Sequence, residues 1–414
     1  MIFIFCCFCA SLRLTECIPT QGLLSISTNQ SIMKIQQSHG QKAWVVGNRS
    51  VEMTVTHHGG HMAPVTFSRG LKPFQPYYVS PWQGEKLPMP CPCLAPLRGD
   101  FFCLPFGGNL AAYHGECHPP HGESAGSVWT LAQCATHGGV TTLAISLATR
   151  VRQGRVTRHL SLVDGHHAVY SNTIIEGFAG ATTFGHHAIL AVPEKERALL
   201  VSTSPFDLGL TSPGIFSNPH NREYQALLPG GGFSRLDQVP SRLLEEPVAD
   251  CSAFPVRYGY ADLIQQFEKP ASNTTSPAWV TAVNTADHWL WFAFKSPARM
   301  PGRAFWIENH GRHGNPWNGR NACLGIEDGC MFFDGGIATS SRPNPASKRG
   351  IPTHVKLTGR PFEIRYIQGA IRVPAKFQRV LTVTFQADHA TFTDLGGRSV
   401  TTPVKHAFLA GEEL

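Results

Sequence analysis

Charge is scarce in this chain: Asp, Glu, Lys and Arg make up 15% of it, against 42% hydrophobic residues. Such a balance excludes an extended disordered chain and leaves much apolar surface to bury. The net charge of +7 is carried by scattered residues, with no run of four basic ones. A nucleic-acid surface gathers its Lys and Arg into a stripe, so no nucleic-acid partner is expected. Long apolar runs are missing too. The stretch from Ile2 to Leu12 ends at Arg13 before it could span a bilayer, and no membrane partner is expected. The 12 cysteines form no pair of C-x-x-C motifs with zinc spacing, which leaves buried free thiols in a reducing, cytoplasmic setting. H-E-x-x-H is absent, as is a Gly-rich phosphate loop on a strand-to-helix turn. No metal, no cofactor and no nucleophilic serine is expected.

Helical periodicity is nearly absent. Only Tyr260–Glu268, with Leu263, Ile264 and Phe267 spaced for one face, predicts a helix. What fills the chain instead is alternation. Val51-Glu52-Met53-Thr54-Val55-Thr56 alternates strictly after a turn at Gly47-Asn48, as a half-buried strand does. Similar runs follow at Val140–Ala148, Val156–Val163, Ala168–Glu176, Ala188–Val192, Leu199–Thr203, Trp279–Val283, Trp289–Phe294, Ala304–Glu308, Phe362–Ile367 and Arg379–Gln386. With 40 Gly and 31 Pro punctuating them, and no crossover helices, they predict an all-β fold: a large antiparallel β-sandwich. No composition shift divides residues 33–414, which are read as one domain. Residues 1–32 are a leader or precede a true start at Met33; a genuine signal there would mean export. Asn29, Asn48 and Asn273 head N-x-Ser/Thr sequons that matter only in that case. Gly70–Pro120, rich in Pro, Gly and aromatics, is a long irregular segment of the kind that lines a cleft.

Histidine is the unusual component, with 20 copies, many in local groups. It suits proton transfer near neutral pH. His57 and His61 lie on a strand-to-turn segment, and Pro119 and Pro120 keep His114, His118 and His121 off one helix, so neither group forms a standard metal motif. Three segments stand out. In His118-Pro119-Pro120-His121-Gly122 the prolines fix the approach and Gly122 lets the backbone turn beside His121; a rigid loop of this kind holds an imidazole over a ligand or simply turns at the surface. In Asn321–Gly329 an apolar strand ends in Glu327 and Asp328, which fits either a desolvated general base or a solvated turn. In Phe184-Gly185-His186-His187 the paired histidines begin a strand and project to opposite faces, one toward a cleft and the other toward solvent.

The order of these segments resembles the galactose mutarotase (aldose 1-epimerase) superfamily. Trp44–Asn48, Val51–Thr56 and Gly59-Gly60-His61 are similar to its first strands. Arg98-Gly99-Asp100, Pro105–Asn109 and His121–Trp129 are similar to its cleft-lining region, and Leu324–Glu327 to its late acid-bearing strand. The resemblance implies a galactose mutarotase-like supersandwich and a small-molecule sugar or sugar derivative as partner. It implies Glu327 as the base at the anomeric hydroxyl and His186 or His187 as the acid at the ring oxygen. His121 and Arg98 would then hold the sugar, with Trp82, Trp306 and Trp317 available to stack on it. One departure stands: Ala188-Ile189-Leu190 follows His187 where the family has Pro, an aromatic and Asn. Three functions are consistent with the residues: an epimerase-type enzyme, a non-catalytic carbohydrate-binding protein, and a metal-dependent His-rich protein.

Overall fold

A computed structural model describes residues 33–109, 111–268 and 276–414. The N-terminal segment 1–32, with its four cysteines, and the sequons at Asn29 and Asn273 lie outside the described residues.

Two large antiparallel sheets dominate. The first has eleven strands, ordered Gln36–Ser38, Gln41–Gly47, Val51–Thr56, Met62–Phe67, Asp100–Cys103, Phe184–Ala191, Ala322–Cys330, Gly302–Asn309, Tyr260–Phe267, Leu208–Thr211 and Gly232–Phe233. The second has nine, from Ala253–Phe254 through Trp289–Lys295 and Phe362–Arg372 to the edge strand Thr130–His137. The sheets face each other across a core that includes Trp44, Met53, Phe102, Trp129, Leu160, Trp291 and Tyr366. The large antiparallel sandwich expected from the alternating runs is therefore present.

The first sheet also buries its other face. Loops from the Gly70–Pro120 segment and from the second half of the chain cover it with a second apolar cluster that includes Trp82, Leu97, Phe101, Ile189, Leu263 and Phe267. Successive strand residues point to opposite faces, so neighbours in sequence part company: Phe102 joins the inter-sheet core and Phe101 the outer cluster.

This double burial explains the one element assigned to the wrong class. Tyr260–Phe267 is a strand, not a helix, paired with Gly302–Asn309 on one side and Leu208–Thr211 on the other. Leu263 and Phe267 fill the outer cluster while Ile264 enters the inter-sheet core. A strand apolar on both faces loses its period of two, and the residual spacing mimics one helical face. Gln265, also fully buried, is satisfied by donating to the Met331 carbonyl at 3.1 Å and accepting from the Phe333 N–H at 2.6 Å.

A candidate acid-base cleft

The outer face of the first sheet opens at its centre into a cleft of about 280 Å³, lined by Phe101, His121, His187, Trp306, Glu327 and Asp334 among others. Its floor comes from adjacent strands. Phe101, His187, Glu327 and Trp306 alternate outward from the strands at 100–103, 184–191, 322–330 and 302–309. Residues 90–97 of the Pro-rich segment supply one wall, as expected of it, and Trp317 and Arg312 add to the lining.

At the bottom, His187 Nε2 lies 3.1 Å from Glu327 Oε1. Burial, and next the nearby Asp334, push the Glu327 carboxyl up to about 8. Burial also drives His187 well below its ordinary value, reinforced by His121 and His61. Both effects disfavour charge. At neutral pH the pair is a protonated acid facing a neutral imidazole, holding one proton between them.

Rings fix the imidazole plane. Phe101 stacks on His187 with centroids 4.6 Å apart, and His61 stacks on the far side of Phe101 at 4.0 Å. His61 is itself anchored to the Ala125 carbonyl at 2.9 Å. His121 stands edge-on to His187 at 5.2 Å and to Phe106 at 5.1 Å. Burial lowers its pKa to about 4, so it is neutral, and its Nδ1 is buried with no hydrogen-bond partner. Its backbone is left-handed, with φ of 59°, and Gly122 follows at φ of 76°. A Cβ on Gly122 would lie 1.8 Å from the Leu104 carbonyl oxygen. The glycine that marked this loop in the sequence is thus required both by its φ and by a close backbone approach.

The other sequence candidates divide. Trp306 and Trp317 line the cleft, with ring centroids 5.5 Å apart. Trp82 lies behind the wall, buried, donating to the Leu94 carbonyl at 2.7 Å and abutting Trp317 edge-on. Arg98 is fully buried outside the cleft. It ties loops together through the carbonyls of Pro96, Ser38 and His39 at 3.2, 3.2 and 2.9 Å. His186 faces neither cleft nor solvent: it points into the inter-sheet core, where its Nδ1 meets Asp100 Oδ2 at 3.0 Å and its ring stacks on Tyr366 at 4.3 Å. The face opposite the cleft is the sandwich core, which is why the expected solvent-facing histidine is absent.

Several lining residues carried no sequence signal. Arg312, set over Phe216 and Trp317 at 5.4 and 5.6 Å, comes from a loop whose backbone N–H groups at 311 and 312 are held by Glu308 at 2.9 and 3.0 Å. Gly122-Glu123-Ser124-Ala125-Gly126 has the G-x-S-x-G spacing of a hydrolase elbow, but Ser124 is fully buried and its hydroxyl donates to the Phe102 carbonyl at 2.7 Å. It is a structural tie, not a nucleophile. Among the described residues no group of three or more His, Cys, Asp or Glu is arranged to hold a metal ion, and no helix is long and apolar enough to cross a membrane.

No family model and no curated protein matches the sequence. Solved structures do match the fold. A galactose mutarotase-like protein from Clostridium acetobutylicum is 10% identical with a TM-score of 0.54, covering 82% of this chain and 98% of that one. A candidate aldose 1-epimerase from Escherichia coli K12 is 11% identical with a TM-score of 0.52, covering 81% and 100%. A candidate mutarotase from Salmonella typhimurium is 12% identical with a TM-score of 0.51, covering 83% and 96%. At these identities the likeness is one of fold.

Proposed function

We propose that this galactose mutarotase-like sandwich binds a sugar in the cleft and interconverts its anomers, with Glu327 and His187 moving the protons. The observation that carries the reading is the 3.1 Å contact between the two groups at the floor of a cleft flanked by Trp306. An anomer exchange needs a base at the anomeric hydroxyl and an acid at the ring oxygen, and both oxygens are bonded to the same carbon. Two groups in mutual contact can therefore serve both. Passing the shared proton from Glu327 to His187 creates a carboxylate and an imidazolium without exchange with solvent. The carboxylate then takes the anomeric hydroxyl proton while the imidazolium protonates the ring oxygen. The ring C–O bond breaks as the carbonyl forms, the C1–C2 bond rotates, and the reverse transfers close the ring on the other face.

His121, neutral and partly exposed in the cleft lining, is suited to hold a sugar hydroxyl. Trp306 and Trp317 offer apolar faces to the ring. Arg98 supports the Pro-rich wall from behind. The free thiols among the described cysteines support a reducing, cytoplasmic setting, which fractionation of the native cells would test.

A second reading, a non-catalytic sugar-binding protein on the same fold, is favoured by one feature: burial raises the intended base to about 8, which keeps it protonated at neutral pH. Anomer exchange measured by NMR over a panel of aldoses separates the two. The enzyme reading expects acceleration of at least one sugar, lost in Glu327→Gln while binding of that sugar stays within a few-fold. Unaltered exchange in that variant would remove Glu327 as the base, and no acceleration of any aldose would leave the binding protein.

A further inference from the structure

The wall of the cleft carries a feature that anomer exchange does not use. Cys91 and Cys93 both line the cleft, separated in sequence by Pro92 alone, and their Sγ atoms are 3.3 Å apart. Cys91 is partly exposed, and Cys93 is 3% exposed behind it. Six other described cysteines are free thiols, and none of them has a sulfur partner among the described residues. The short helical turn Pro92–Leu94 that holds the pair rests on the His121 segment: a Cβ on Gly126 would lie 2.6 Å from Pro92 Cβ.

We propose that Cys91 and Cys93 form a dithiol that peroxide oxidises to an intramolecular disulfide in the wall of the cleft. The two sulfurs play different parts. Cys91 is the attacking thiol: it is reachable from the cleft, and a hydrogen bond from the Cys93 thiol, helped by backbone N–H groups, outweighs burial and brings it down to about 7. Thiolate character with access is what peroxide selects. Cys93 stays protonated, held well up by the hydrogen bond to Cys91 and by burial, until its neighbour is oxidised. The Cys91 thiolate attacks one peroxide oxygen and the O–O bond breaks. This gives the sulfenic acid and hydroxide, which takes up a proton to become water. The Cys93 sulfur then attacks the Cys91 sulfur, loses its own proton and expels the oxygen as a second water. One peroxide is reduced, two thiols are oxidised, and two waters leave. Bond formation must bring the sulfurs from 3.3 Å to about 2 Å.

The test uses the whole purified protein. Hydrogen peroxide treatment, alkylation and tryptic digestion isolate residues 87–98, the peptide with both thiols. The expected result is a peptide two hydrogens lighter, with both alkylatable thiols lost and both restored by dithiothreitol. In Cys93→Ser the reaction stops at Cys91, and dimedone traps the sulfenic acid. Two thiols that remain alkylatable, oxidation to sulfinic acid without a link, or a link to Cys103 or Cys117 would each overturn the proposal. None of these outcomes depends on whether the cleft turns over a sugar.

Discussion

Glu327 sits where its charged form is disfavoured, and that has a measurable cost. Its folded pKa of about 8 lies above the ordinary 4.5. Between those values the unfolded chain ionises while the folded chain does not, so stability falls as pH rises through the window, by a few kcal/mol in total. Glu327→Gln removes the titration. Its melting temperature should exceed that of the wild type by an amount that grows from pH 4.5 to 8, and a pH-independent difference would refute this account of the carboxyl. Glu327 and His121 were visible in the sequence because their neighbours mark them: an apolar strand before one, Pro-Pro and Gly around the other. Choosing between His186 and His187 was beyond the sequence, since only the sheet defines which face is outward. Phe101 and Arg312 were invisible because a stacking partner and a loop cation are defined by the third dimension alone.

Strands, turns and loops differ in how they were legible. Alternating runs such as Leu199–Thr203 and Ala168–Glu176 end where the pattern ends. Asp100–Cys103 went unread because four residues inside a Pro- and Gly-rich segment carry too little period, and Tyr260–Phe267 because burial on both faces erased it. The loop that presents His121 depends on one backbone position. Gly122→Ala combines a left-handed φ with a Cβ 1.8 Å from the Leu104 carbonyl oxygen. It should lower the free energy of unfolding in a denaturant titration by several kcal/mol and, in whatever folds, weaken binding at the proposed sugar site through a displaced His121. A variant as stable and as tight-binding as the wild type would show that the turn tolerates the methyl group.

Across the whole molecule, one group of the scarce charges is buried between the sheets. Between the sheets, Arg303 reaches Asp328 at 2.8 Å and Glu268 at 3.1 Å, Lys295 bridges the same two acids at 2.9 and 2.7 Å, and Tyr366 donates to Asp328 at 2.8 Å. Burial alone would raise Asp328, but Arg303 and Lys295 outweigh it and hold the carboxyl below its ordinary value. Arg303→Met leaves two buried acids sharing one ammonium. It should cost about 3–5 kcal/mol in denaturant titration, whereas Arg320→Met, which breaks a surface pair with Glu85, should leave the midpoint nearly unchanged. Equal effects would mean the inter-sheet charges do not act as a unit. None of this network was legible, because the acids at 268 and 328 and the phenol at 366 come from segments far from one another in the chain and meet Lys295 and Arg303 only in the folded sheets. The histidine-bearing strand Phe184–Ala191 is sixth of eleven and is bonded along both edges, while residues 84–96 hang from turns. The floor should therefore release its amide hydrogens to deuterium only when the whole molecule opens, and the wall much sooner. Similar exchange rates for the two would contradict this. A ligand would then meet a floor already in place, while its entry and departure follow the faster motions of the wall.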